Sequence, residues 1–182
     1  MKKILMIVGS FRKNSFNMQL ALTAKEMLAD KAEVNILQYE DRPFFNQDIE
    51  TPTPESIERI RRQVMDADGI WIFTPEYNSQ IPGVLKNLLD WLSRPVVPGD
   101  WKRGSAVRGK AVTIAGVAGK SAAANARANL KELLGKISMN VMGDTGTGFY
   151  MNHIIADTGM LQLSEENLRL LKEQAENFVN AI

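Results

Sequence analysis

The hydrophobic residues of this chain fall into two patterns that take turns along its length. Short continuous apolar runs, such as Ile-Leu-Met-Ile-Val at 4–8, are the signature of central strands in a parallel sheet covered on both faces. Between them lie longer segments whose apolar residues recur three and four apart, as on one face of a helix. Strands are predicted over 4–8, 33–37, 69–74, 111–117 and 138–142. Helices are predicted over 16–29, where Leu20, Ala21, Ala24, Met27 and Leu28 share a stripe, and over 84–93, with Leu85, Leu88, Leu89 and Leu92. Another starts at Thr53, an N-cap candidate with Pro54 at the first helical position, and runs on through Ile57, Ile60 and Val64. Ser121 is the predicted cap of a helix ending at Gly135, and Ser164 that of a last helix carrying Leu168, Leu171, Ala175, Phe178 and Ile182.

Five strands each followed by a helix describe one doubly wound α/β domain over residues 1–182, with right-handed crossovers. Ligands of such sheets bind beyond the carboxyl ends of the strands, where the strand order reverses. The loops beginning at Gly9, Pro75 and Gly116 are therefore the places to search for chemistry.

Composition narrows what that chemistry is. The 182 residues include no cysteine and one histidine, His153. Thiolate nucleophiles, CxxC pairs, iron–sulfur clusters and cysteine zinc sites are excluded, and a lone imidazole cannot supply the paired histidines of most zinc enzymes. His153, between the fifth strand and the last helix, is read as an ordinary surface histidine rather than as part of a neighbouring active site. Demanding chemistry then has to come from a bound cofactor. Lys and Arg total 22 against 21 Asp and Glu, a net charge of +1, which offers no broad field for nucleic acid or anionic lipid. No stretch approaches the roughly 20 apolar residues that span a bilayer. The apolar run before Gly9 is too short for a secretory signal, so a cytoplasmic protein is expected.

The first loop, 9–17, combines serine hydroxyls, Arg12 and the amides of a helix N-terminus, a natural seat for a phosphate. Two nucleotide fingerprints fail there and elsewhere: G-x-G-x-x-G would need glycine where the chain has Phe11 and Asn14, and Gly119-Lys120-Ser121 lacks the triphosphate-loop glycine at Ile114. A monophosphate remains. In the second loop, 74–83, two prolines stiffen a backbone whose amides suit the edge of a planar ring, and Tyr77 is placed to pack beside it. The third loop, Gly116-Val117-Ala118-Gly119, ends a strand in small residues. These either let the backbone approach a flat ligand or let a helix pack closely on the sheet, and the residues alone leave both readings open.

Gly9-Ser10-x-Arg12-x-x-Ser15-x-Asn17 and Pro75-Glu76-Tyr77-Asn78-x-x-x-Pro82-Gly83-x-Leu85-Lys86-Asn87-x-x-Asp90-Trp91 resemble the two signatures of the NAD(P)H-dependent FMN reductase family, which includes bacterial quinone, azo and chromate reductases. The resemblance covers residues 1–145. It implies a flavodoxin-like five-stranded parallel sheet of order 2-1-3-4-5 with helices on both faces and FMN at the first and third strand ends. Carried over by position, Ser10, Arg12, Ser15, Phe16 and Asn17 would hold the FMN phosphate and ribityl chain, and Pro75, Glu76, Tyr77 and Asn78 would line the isoalloxazine. Gly116, Val117, Ala118 and Gly119 would pass near the ring.

The chain departs from the family where a glycine pair and an arginine often follow the third loop, since it has Lys120-Ser121-Ala122-Ala123-Ala124-Asn125. The implied activity is ping-pong: hydride passes from NADPH or NADH to the flavin, and a small-molecule acceptor such as a quinone, azo compound, metal oxyanion or free flavin is then reduced. No side chain acts as catalytic nucleophile and no metal is required. A flavodoxin-type electron carrier and a non-catalytic FMN-binding regulatory module are the rival readings. Trp91 gives the helix at 84–93 more apolar surface than one sheet face needs, which with the resemblance points to a homodimer or homotetramer.

Overall fold

A computed structural model describes residues 1–151 and 157–182; His153 lies outside the described residues. Seven residues, Lys2–Val8, form β1, followed by α1 (Phe16–Met27), β2 (Ala32–Ile36), α2 (Glu55–Asp66), β3 (Gly69–Phe73) and α3 (Gly83–Ser93). The second half adds β4 (Ala111–Ala118), α4 (Ala124–Lys136), β5 (Asn140–Val141), β6 (Thr147–Tyr150) and α5 (Glu165–Ala181). The sheet order is β2-β1-β3-β4-β5, with β6 also paired to β4 and every pairing parallel. This is the predicted doubly wound, flavodoxin-like order.

Alternation along the buried strands builds two cores. Leu5, Ile7, Ile70, Ile72, Val112 and Ile114 face α2, α3 and α4 through Ile57, Ile60, Leu88, Leu89, Leu130 and Leu134. Their neighbours Ile4, Met6, Val8, Trp71, Phe73, Ala115 and Val117 face α1 and α5 through Leu20, Ala24, Leu171, Ala175 and Phe178. Each fully buried aliphatic side chain contributes roughly 1.5–3 kcal/mol, so continuous apolar runs are what a strand coated on both faces requires.

Four local expectations are corrected. The edge strand is not one element over 138–142: Asn140 and Val141 pair with Ala111 and Val112, the chain bulges out over 142–146, and Thr147 to Tyr150 then pair with Ala115 to Ala118. Gly143, Asp144 and Gly146 carry the bulge with positive φ. Pro54, not Thr53, is the N-cap of α2, because the Thr53 hydroxyl donates backwards to the Glu50 carbonyl at 3.1 Å. Ser121 does not cap α4, whose N-cap is the left-handed Ala123 with no side-chain bond of its own. Ser164 does cap α5, accepting from the Asn167 N–H.

The fourth correction concerns Trp91, whose ring is wholly buried within this chain. Its indole N–H donates to the Pro43 carbonyl at 3.0 Å, and its ring meets Phe45 edge-on at 5.0 Å. Asn87 beside it accepts from the Phe45 N–H at 2.7 Å and donates to the same Pro43 carbonyl at 3.0 Å. The segment after β2 covers this side of α3, so Trp91 leaves no surplus apolar face.

Gly146 marks the tightest backbone approach at the split edge: a Cβ there would stand 1.7 Å from the Ile114 carbonyl oxygen, and φ is +68°. A Gly146→Ala variant is expected to lose about 3 kcal/mol or more of stability. Urea unfolding checks this, and an unchanged midpoint would contradict the close approach.

Candidate functional site

The central strands end level with one another. Val8 is in register with Phe73, and Phe73 with Ala115, so the loops after β1, β3 and β4 leave the sheet side by side. The chain returns from β1 to β2 on one side and passes to β3 on the other, and this divergence opens a cleft. Its volume is about 150 Å³ and its lining comprises Ser10, Arg12, Ser15, Phe16, Asn17, Pro75, Glu76, Tyr77, Val117, Ala118, Gly119 and Met151. A larger hollow of about 340 Å³ lies by the split edge strand against α5, away from the strand ends where this fold places its chemistry.

The first loop presents donors. Ser15 is the N-cap of α1 and its Oγ accepts from the Met18 N–H. Ser10 Oγ accepts from the Arg12 N–H at 3.4 Å. Neither hydroxyl donates to an acceptor among the described residues, so each keeps a hydrogen to offer. The Phe16 and Asn17 N–H groups have no acceptor among the described residues, as expected in the first turn of a helix. Arg12 holds its guanidinium 5.2 Å from the Phe16 ring centroid and takes part in no ion pair among the described residues. From the outside, the buried Tyr39 hydroxyl donates to the Val8 carbonyl at 2.6 Å, and its ring meets Phe11 at 4.8 Å. Burial pushes that phenol well above its ordinary pKa, so it remains a donor.

Asn17 is engaged inside the protein. Its Nδ2 donates to the Val117 carbonyl at 3.0 Å, and its Oδ1 accepts from the Val117 N–H at 2.9 Å. The carboxamide thus fastens the start of α1 to the end of β4 and settles the height of the third loop against the first.

The second loop is a clipped hairpin. Tyr77 and Gln80 exchange both backbone hydrogen bonds, and Asn78 and Ser79 form the two-residue tip with φ of 52° and 60°, a turn that favours Asn. Tyr77 is 51% exposed at the cleft mouth, which removes the alternative that it is a core aromatic. Glu76 reaches α4: its carboxylate accepts from the Ala126 N–H at 2.9 Å and from Asn125 Nδ2 at 3.5 Å. Burial pushes this carboxyl up, but hydrogen bonds from Ala126, Ser121 and Asn125 outweigh burial and hold it below the usual glutamate value.

Glycines of the third loop divide between the two readings. A Cβ on Gly116 would lie 2.6 Å from the Thr74 carbonyl oxygen and 2.9 Å from Ala123 Cβ, whereas one on Gly119 would meet nothing within 4 Å. Gly116 serves strand and helix packing, and Gly119 borders open space. Left-handed Ala122 and Ala123 then swing the chain into α4, and Arg127 holds the corner by donating to the carbonyls of Ala122, Thr145 and Gly146.

Eleven of the expected residues, all but Asn78 and Gly116, line this one cleft. Asn78 sits at the hairpin tip and Gly116 beneath the surface. Met151 was not foreseen: it lines the cleft because β6, unrecognised as a strand, delivers it there, its N–H donating to the Ala118 carbonyl at 2.7 Å. No motif announced it.

A doubly wound parallel sheet with a donor-rich cleft at its switch point defines the flavodoxin-like class. Within it, the sequence model of the NADPH-dependent FMN reductase family matches residues 2–149, and this chain belongs to that family. It is similar to a 2-hydroxy-1,4-benzoquinone reductase of a Burkholderia species, 43% identical over 93 residues, 51% of each chain. It is 41% identical over 95 residues to a quinone reductase of Escherichia coli strain K12, 50% of each chain. These matches span about half the length of the curated relatives. The structure of FerB, a flavoenzyme NAD(P)H:(acceptor) oxidoreductase from Paracoccus denitrificans, superposes with a TM-score of 0.85 and 28% identity, covering 99% of this chain and 96% of FerB.

Replacing Asn17 by Ala would strip both backbone groups of Val117 of their partner in a buried setting. A loss of about 2–4 kcal/mol is expected, read from chemical denaturation of the purified protein; a loss below about 1 kcal/mol would show that Val117 is satisfied without the carboxamide.

Proposed function

We propose that the protein is an FMN-dependent oxidoreductase that takes hydride from NADPH or NADH and reduces quinones, azo compounds, metal oxyanions or free flavin in two alternating half-reactions. One observation carries the reading: the Ser10 and Ser15 hydroxyls, the Phe16 and Asn17 N–H groups and the Arg12 guanidinium offer hydrogen-bond donors and a positive charge at one end of the cleft, a fit for a phosphate monoester. Pro75, Glu76 and Tyr77 face Val117, Ala118 and Gly119 across the rest of it, a pairing of loops suited to a planar ring. FMN, when bound, supplies reversible acceptance and release of two electrons. The protein's share is then binding, orientation and polarisation of the ring edge, with Tyr77 bordering the space in which nicotinamide and acceptor succeed each other.

The electron-carrier reading is weaker because a cationic Arg12 and a net charge of +1 differ from the acidic, Thr-rich design of flavodoxins. Rapid bleaching of the flavin bands on mixing with NADPH, without a separate reductase, distinguishes the enzyme from the carrier and from a silent FMN-binding module. An Arg12→Ala variant is expected to bind FMN about 10- to 100-fold more weakly, the cost of one charge-assisted phosphate contact, in a fluorescence titration. A protein that never takes up FMN would overturn the proposal.

A homodimer or homotetramer is part of the proposal, and its support lies outside α3. Phe44 is 86% exposed and Trp101 61% exposed, and Arg94, whose guanidinium is 4.9 Å from the Trp101 ring, is clamped by Glu50 at 2.8 and 3.1 Å. Aromatics held out by a rigid frame suit a contact with another copy. Sedimentation velocity is expected to give a dimer or larger, and Trp101→Glu to shift it toward monomer. No helix among the described residues is long and apolar enough to cross a membrane. A cytoplasmic setting suits a reaction that draws on reduced nicotinamide nucleotides.

A further inference from the structure

The helix α4 lies outside the cleft, yet it is fastened to the second loop at two points one helical turn apart. At its N-terminus the Ala126 N–H donates to the Glu76 carboxylate at 2.9 Å, with Asn125 Nδ2 beside it at 3.5 Å. One turn on, Asn129 Nδ2 donates to the Ser79 carbonyl at 3.2 Å. The two fastenings bracket Tyr77 and Asn78. The first also answers a need of the helix, because Ala123 provides no side-chain cap and the first-turn N–H groups favour an anionic acceptor.

From this arrangement we infer that Glu76 is a positioning residue rather than a flavin ligand: its carboxylate, clipped to the N-terminus of α4 and assisted by Asn129 on Ser79, fixes the distance between the Pro75–Tyr77 backbone and the third loop. The inference rests on the flavin reading given above. The geometry supports it in three ways. Glu76 spends its carboxylate oxygens on α4. Its bonds hold the acid below its ordinary pKa, the direction expected for a carboxylate bound as an anion. Arg127, next along the helix, bonds to the carbonyl of Ala122 just past the third loop, and the Ala122 N–H donates to the Gly119 carbonyl at 2.9 Å, so the helix that carries the second loop is also tied to the end of its opposite wall. The spacing of the ring-binding slot is thereby set by α4.

The departure noted at Lys120 to Asn125 acquires a role in this light. Asparagine there provides the Asn125 side chain that bonds to Glu76 at 3.5 Å.

Titration of the flavin-free full-length protein with FMN tests the inference in wild type, Glu76→Ala, Glu76→Gln, Asn129→Ala and Arg12→Ala, recording the dissociation constant, the visible flavin spectrum when bound, and thermal melting. Glu76→Ala is expected to weaken FMN about tenfold and to shift the bound flavin bands, as ring contacts change. Asn129→Ala should act in the same direction with a smaller loss, and Glu76→Gln, which keeps one acceptor, should recover part of the affinity. Arg12→Ala, at the phosphate end, should weaken binding without moving the bands. If Glu76→Ala and Asn129→Ala melt earlier but bind FMN with unchanged affinity and spectrum, Glu76 is a helix cap only and the inference is overturned. If Glu76→Ala does not fold, Asn129→Ala decides between the same two results. Failure of the wild-type chain itself to bind FMN would instead overturn the flavin reading, and this inference with it.

Discussion

A single buried carboxamide sets the floor of the cleft. Asn17, at the second position of α1, meets both backbone polar groups of Val117 near the end of β4, 100 residues away. Val117 has paired in-register neighbours on its β6 side only, since β3 ends at Phe73 opposite Ala115. Its outer N–H and C=O would otherwise be buried without partners, at a cost of about 1–3 kcal/mol each. By filling that gap, Asn17 holds the first loop and the third loop at one fixed separation.

The rest of the site follows a similar economy. Polar groups with acceptor character are satisfied by the protein: Glu76 by α4, the Ser79 carbonyl by Asn129, the Ala122 carbonyl by Arg127. What is left facing the first-loop end of the cleft is a set of donors and one guanidinium. The long second signature divides in the same way. Pro75 to Tyr77 line the cleft, whereas Asn87 and Trp91 secure the segment at 43–45, and Lys86 pairs with Asp90 at 2.6 Å along α3. Much of a motif that signals function is therefore scaffold for the loop that performs it.

Membership of the NADPH-dependent FMN reductase family agrees with this division of labour. A chain without cysteine and with one histidine has no thiol chemistry, and Asn17, Glu76, Arg127 and Asn129 around the cleft are engaged in holding loops. Precision of the slot, rather than reactivity of a side chain, is what such a fold contributes to redox chemistry.

Both faces of the core were legible in the sequence because they depend on local periodicity: alternate residues of Leu5-Met6-Ile7-Val8 must point to opposite layers, and stripes three and four apart must face the sheet; the strand order came from the family resemblance, since periodicity does not say which strands are neighbours. The loops that carry the site were legible too, since strand ends in a doubly wound sheet locate them. The split of the edge strand at 142–146 was not, because pairing of Thr147 to Tyr150 depends on β4 and on room left beside Ile114 for Gly146. Nor was the cap of α4 legible: Ser121 has the chemistry and the sequence position, yet Glu76 arrives from a different loop and takes the amide. Short-range pattern determined which elements form and which loops matter. Only the tertiary structure decided which side chains touch the cleft and which hold it open, because a hydrogen bond between Asn17 and Val117 or Glu76 and Ala126 joins residues whose proximity no local pattern encodes.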